Sequence, residues 1–159
     1  MVAYKASTVP RFLSAPDPAC RAVLVYGPDA GLVSERASTL VQMFAERLGL
    51  GTEVVRLDDR DFAEDAGRLE VELRTQSMFA SAKVVRARAG TRLDTATLKA
   101  LFAEPCESPL IVEAGNLRPD SALRKLFEKE PQAAALPCYA DERNLASLIE
   151  DELAKSDLS

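Results

Sequence analysis

A three-layer α/β architecture, with a mostly parallel five-stranded sheet between helices, is the expectation from three features of this 159-residue chain. Apolar runs of four to six residues recur along it, and they read as continuous rather than alternating, as strands do when both sheet faces are covered. Segments of helical period separate those runs, which suits crossover helices joining parallel strands. The length fits about five such units in one domain with a sizeable core. The strand candidates are Ala22 to Tyr26, Glu53 to Leu57, Lys83 to Arg86, Leu110 to Glu113 and Ala135 to Tyr139.

The intervening helices are placed by periodicity and caps. After the first strand, Val33, Ala37, Leu40, Val41, Phe44 and Leu48 form one apolar stripe that Gly49 closes. A second helix, with Asp61 as N-cap, carries Phe62, Ala66, Leu69 and Leu73 on one face. Asp94 caps a third that carries Leu98, Leu101 and Phe102. The fourth follows Pro119 with Asp120 or Ser121 as cap, buries Leu123, Leu126 and Phe127, and stops before Pro131. A last helix from about Glu142 uses Leu145, Leu148, Ile149 and Leu153. Phe12 and Leu13 are expected to cover a sheet edge or end, and Ala15 to Pro18 to turn. Residues 1–140 thus read as the domain, and 141–159 as a helix leading towards a further segment of a longer chain.

Composition excludes several functions. The net charge is -5 and the isoelectric point about 4.9, so the whole domain is no polyanion binder, and Arg86, Arg88 and Arg92 are too scattered to suggest direct DNA contact. Histidine is absent, which removes the commonest general base at neutral pH and the commonest metal ligand; neither catalytic nor metal-ligating residues are expected. Cys20, Cys106 and Cys138 are odd in number and lack C-x-x-C spacing, as suits reduced thiols in the cytoplasm. Nothing suggests a membrane span or an apolar signal core.

One turn carries chemical information. V-L-V-Y-G-P-D-A-G-L-V-S-E-R, from Val23, has the strand-to-helix layout of a phosphate-binding loop, G-x-x-x-x-G-K-[ST]. With Gly27 as the first glycine, the second falls on Leu32 and the lysine on Val33, and only Ser34 keeps its type. Losing a lysine about 4 Å from a phosphate oxygen forfeits a gross Coulomb attraction of roughly 4 kcal/mol at an effective dielectric near 20. Asp29 adds repulsion, and Leu32 brings a branched side chain where glycine would let the backbone approach the phosphate, although Gly31 stands beside it. A degenerate nucleotide site, with no bound cofactor, is the expectation. The ordinary alternative is a strand-to-helix turn that happens to use Gly and Asp.

Other candidates are weighed similarly. Asp58, Asp59 and Asp61 read as a solvated helix start, where the helix dipole favours carboxylates. Glu113 ends a strand where ATPases of this type keep magnesium-binding acids, and without the lysine it is either a relic or a helix-capping partner. In Q-S-M-F-A, from Gln76, Met78 and Phe79 adjoin on a connector that needs only one of them for packing. They either reach the core or fill a partner's pocket.

Four stretches together resemble the delta subunit of bacterial DNA polymerase III. They are R-A-V-L-V-Y-G-P-D-A-G-L-V-S-E-R-A from Arg21, S-M-F-A-S from Ser77 followed by K-V-V-R, L-I-V-E-A-G-N-L-R-P-D-S-A-L-R-K-L-F-E from Leu110, and A-A-A-L-P-C-Y-A-D from Ala133. The resemblance implies a P-loop NTPase fold of the AAA+ type with a decayed nucleotide site and no ATP hydrolysis of its own. It implies a clamp-loader subunit that works beside gamma or tau and delta-prime, reaches DNA through the assembled loader, and opens the ring-shaped beta sliding clamp. By the same resemblance Met78 and Phe79, with Ser77 before them, correspond to the leucine-phenylalanine pair that enters an apolar pocket on the clamp. Methionine for leucine conserves volume, at a cost under about 1.5 kcal/mol. The upstream glutamine of the family pattern has no clear match, since Arg74 stands five residues before Phe79 and Gln76 three. Family members continue into a helical lid and a collar domain. From another class, the alternative is a small P-loop-type nucleotide-binding enzyme whose phosphate lysine lies elsewhere, for instance at Lys83.

Overall fold

The computed structural model describes residues 21–49, 51–65, 67–75, 82–89, 95–103 and 108–138. Its elements run β1 Ala22–Tyr26, α1 Ala30–Leu48, β2 Thr52–Leu57, α2 Asp59–Glu64, α3 Arg68–Arg74, β3 Ala82–Arg88, α4 Thr95–Ala103, β4 Leu110–Ala114, α5 Ala122–Lys129 and β5 Ala133–Pro137. The five strands form one sheet in the order β2-β3-β4-β1-β5, and every pairing is parallel. The α/β expectation is met.

Strand alternation divides the core in two. Val23, Val25, Val84, Ile111, Ala134 and Leu136 face α1, whose Val33, Ala37, Leu40, Val41 and Phe44 cover that side. Leu24, Tyr26, Val85, Ala87, Val112 and Ala135 point the other way, against Phe62, Leu69, Leu73, Leu98, Leu101 and Phe127 from the other four helices. Burial on both faces explains why strands such as AVLVY read as unbroken apolar runs. Leu48, the last residue of the predicted stripe, is 37% exposed at the end of α1 rather than buried.

Local chemistry moves several boundaries. The single helix expected after β2 is two, because the Asp65 carboxylate accepts from the Gly67 N–H at 3.0 Å and holds a turn between them. Its N-cap is Asp58; Asp61 is the third residue of a capping box, with Asp58 Oδ1 accepting from the Asp61 N–H and Asp61 Oδ2 from the Asp58 N–H. Ser121, of the two caps considered, caps α5, and Glu130 closes it before Pro131. β5 begins two residues earlier than expected, since Ala133 and Ala134 pair with Ala22 and Val23 and small side chains suffice on a strand packed from both sides. The expected elements at Phe12 and Leu13, the cap at Asp94, the helix from Glu142, and Cys20, Cys106 and Tyr139 lie outside the described residues.

Candidate functional site

The turn between β1 and α1 sits at the carboxyl end of the sheet, where open parallel sheets bind ligands. Gly27 is required there. Its φ is 154°, and a Cβ on it would lie 1.8 Å from the Cys138 carbonyl oxygen. The Gly27 N–H donates to the Gly115 carbonyl at 3.1 Å, and the Cys138 N–H to the Tyr26 carbonyl at 2.7 Å, so the ends of β4, β1 and β5 are held together below the turn.

The positive end of α1 is already engaged by the chain itself. Asp29 is the N-cap, and its Oδ1 accepts from the Leu32 N–H at 3.1 Å, while its carbonyl accepts from the Val33 N–H at 3.0 Å. Leu32 and Val33, standing at the glycine and lysine positions of the pattern, are both buried in the core beneath α1. Gly31 is exposed, and its nearest neighbour across the turn is the Asp29 carboxylate. A loop arranged this way offers an incoming phosphate no lysine and opposes it with a carboxylate.

Ser34 has a partner that the sequence did not disclose. Arg86 on β3 and Glu113 on β4, each 6% exposed, project to the α1 side of the sheet. The register pairs Arg88 with Glu113, so Arg86 reaches diagonally across the two strands. Its Nε donates to Glu113 Oε2 at 3.0 Å and its Nη2 to Glu113 Oε1 at 2.8 Å, a bidentate pair. Nη2 also lies 3.2 Å from the Ser34 carbonyl and 3.3 Å from its Oγ, and Nη1 donates to Ser38 Oγ at 2.9 Å. One guanidinium thereby ties α1 to two strands. Glu113, expected to be a relic or a helix cap, is the counter-ion of this latch.

In phosphate-binding loops the conserved hydroxyl and a strand-end acid share a magnesium ion. Here an arginine stands between the Ser34 hydroxyl and the Glu113 carboxylate, a cation supplied by the chain. The signal for it was a charge inside each of two apolar strands, Arg86 in A-K-V-V-R-A-R and Glu113 in L-I-V-E-A. Such charges are kept inside only when paired.

Lys83, considered as a displaced phosphate ligand, is on the opposite face. Its Nζ donates to the Glu72 carbonyl at 3.1 Å, to Glu72 Oε1 at 3.2 Å and to the Thr75 carbonyl at 2.8 Å. All three ammonium donors are taken. Burial also governs Cys138, whose thiol is pushed up to about 12, with Asp29 reinforcing and Arg36 opposing the shift. No group of three or more metal-ligating residues, and no helix long and apolar enough to cross a membrane, occurs among the described residues. Ser77, Met78 and Phe79 lie outside the described residues.

The sheet order defines a class: an α/β domain with a five-stranded parallel sheet between helices. Within that class, comparisons with known proteins point one way. No protein-family model matches the sequence. A probable DNA polymerase III subunit delta from Rickettsia prowazekii (strain Madrid E) is 24% identical over 138 residues, covering 86% of this chain and 40% of the relative. Among solved structures, the Bacillus subtilis DNA clamp loader delta protein (YqeN) superposes with a TM-score of 0.59 at 13% identity, over 85% of this chain and 42% of that one. The chain therefore resembles the delta subunit of bacterial DNA polymerase III in sequence and has the fold of a clamp-loader delta protein, and it spans about two fifths of either relative.

Proposed function

We propose that this chain is the AAA+-like part of a clamp-loader delta subunit, which binds the beta sliding clamp and helps to open it for loading on primed DNA. The observation that carries this is the likeness, over 86% of the chain, to a relative named as a probable delta subunit. The described site supports it. A domain with Leu32 and Val33 turned into the core, the Leu32 N–H taken by Asp29 and Arg86 paired with Glu113 has no use for ATP and serves as a scaffold, so hydrolysis falls to the gamma or tau partners. Gamma or tau and delta-prime are the proposed neighbours, DNA is reached through the assembled loader, and the setting is the cytoplasm.

Met78 and Phe79 are the proposed clamp contacts, with Ser77 leading into them. An aromatic anchor in a dry pocket is worth about 2 kcal/mol or more when truncated, roughly a thirtyfold loss of affinity. Phe79→Ala should therefore weaken binding to purified clamp by about that factor in surface plasmon resonance, with the melting temperature preserved. Unchanged affinity would refute the assignment, and a large drop in melting temperature would return Phe79 to the core.

A further inference from the structure

Of the four lysines among the described residues, one is the buried Lys83 and the other three stand exposed around a single cleft. Lys99 belongs to α4, and Lys125 and Lys129 to α5, and together they line an open groove of about 590 Å³ between those helices. The helices are fastened beneath it. Phe102 of α4 meets Phe127 of α5 edge to face, with ring centroids 5.4 Å apart, and Phe127 is fully buried. Phe102 and Leu126 pack on the core but stay only half-buried, so with Ala122 they give the groove an apolar floor.

The three ammonium groups have no ion-pair partner among the described residues. Beside them on α5, Arg124 Nε lies 3.4 Å from Glu128 Oε1, the ordinary i, i+4 arrangement of opposite charges. Lys125 and Lys129 have the same spacing and the same sign, which disfavours a helix unless an anion lies over them. Glu130 is the one acid among the lining residues, at the end of α5. The chain as a whole carries a net charge of -5, so this cationic strip runs against its overall balance. Complementary charge on a partner would be steered to it.

Two classes of anion would suit the lysines, and the floor separates them. A nucleic-acid backbone would take the ammonium groups and leave Phe102, Leu126 and Ala122 uncovered. A helix with one apolar face and acids beside it uses both. The dimensions agree. With nine residues in α4 and eight in α5, the groove runs for about 12 Å, rather more than two helical turns, and Lys125 and Lys129 stand about 6 Å apart along the axis, the rise between acids at i and i+4. The geometry points to this cleft as the docking groove for an acidic amphipathic helix of a partner protein, with leucine-like side chains seated on Phe102 and Leu126 and carboxylates facing Lys99, Lys125 and Lys129. It is independent of the clamp contacts proposed above.

The test uses the whole chain and a fluorescein-labelled peptide of about 18 residues, with leucines at helical spacing and glutamates flanking them, read by fluorescence anisotropy. A peptide of the same composition without the stripe and a labelled DNA duplex serve as competitors in class. The striped peptide is expected to bind, and Lys125→Gln with Lys129→Gln to weaken it about tenfold. Arg56→Gln with Arg60→Gln makes the same change of net charge at exposed positions of β2 and α2 and should leave binding as it was. All four positions are on the surface, where such changes leave the fold intact. Equal binding of the unstriped peptide, or equal loss in the two double variants, would overturn the groove, since charge alone would then be at work. Tighter binding of the duplex with the same dependence on Lys125 and Lys129 would overturn it in favour of nucleic acid. A dimer in sedimentation velocity that the lysine variant dissolves would make a second copy the occupant, and peptide binding seen only after Leu148→Asp with Leu153→Asp would make it the chain's own residues 141–159; either result overturns a partner helix. So does a striped peptide that binds none of these chains.

Discussion

Arg86 shows what single side chains decide in this protein. A buried bidentate pair is a poor source of net stability, because desolvation of both ions offsets most of their attraction, but removing one partner strands the other. Arg86→Met should therefore destabilise the fold by about 3–5 kcal/mol, read as a shift of the urea midpoint, since Glu113 is left charged beneath α1. The double variant Arg86→Met, Glu113→Leu should recover most of that loss. A double variant as unstable as the single one would show that the latch contributes through the Ser34 and Ser38 bonds instead. Cys138 gives a second test at this scale. Its thiol, raised from 9.0 to about 12, is held in the neutral form by burial between β5 and the Gly27 turn, so it should resist iodoacetamide at pH 8.5 until the chain is unfolded, as checked by mass-mapped labelling. The sign for stability follows from the direction: the folded state holds this proton more tightly, so the contribution is complete below about pH 9 and declines as pH rises towards 12.

Among the elements, α1 depends most on its first turn. Asp29 caps a 19-residue helix that is the sole described cover for one face of the sheet. Asp29→Ala should cost about 1 kcal/mol in chemical denaturation, the usual worth of such a cap, and Asp29→Asn should cost little of it because asparagine caps nearly as well. Elements of this kind were legible in the sequence because period and cap agree: Val33, Ala37, Leu40, Val41 and Phe44 recur at helical spacing behind Asp29, and all five are buried. The strands were legible as apolar runs, with ends misplaced by one or two residues where alanine carries little pattern, as in A-A-A-L-P. The break between α2 and α3 was not legible, because Phe62, Leu69 and Leu73 keep a helical spacing across it, Ala66 lies outside the described residues, and the one described sign of the break is the Asp65 carboxylate's bond to the Gly67 N–H. Least visible were the partners of Arg86, Glu113 and Lys83. A charge within a strand announces a need for a counter-ion, but the pairing crosses 27 residues in one case and 11 in the other, and a linear pattern carries no such distance.

For the molecule as a whole, the question is whether the turn after β1 can hold a nucleotide. Three described features bear on it together. Position 33 is a valine buried in the core rather than a lysine, the Leu32 N–H is committed to Asp29, and Ser34 and Glu113 share Arg86. ATP would have to displace a bidentate buried pair and approach a fixed carboxylate at once, with no lysine in compensation. Titration of the whole chain with ATP and magnesium should accordingly leave its melting temperature unmoved. The measurement is sensitive enough to decide: a ligand present at a hundredfold excess over its dissociation constant stabilises by about 2.7 kcal/mol, which raises the melting temperature of a domain this size by several degrees. A shift of that order with ATP and magnesium, absent with magnesium alone, would mean that the turn after β1 still holds phosphate. The scaffold role proposed for this domain would then fall.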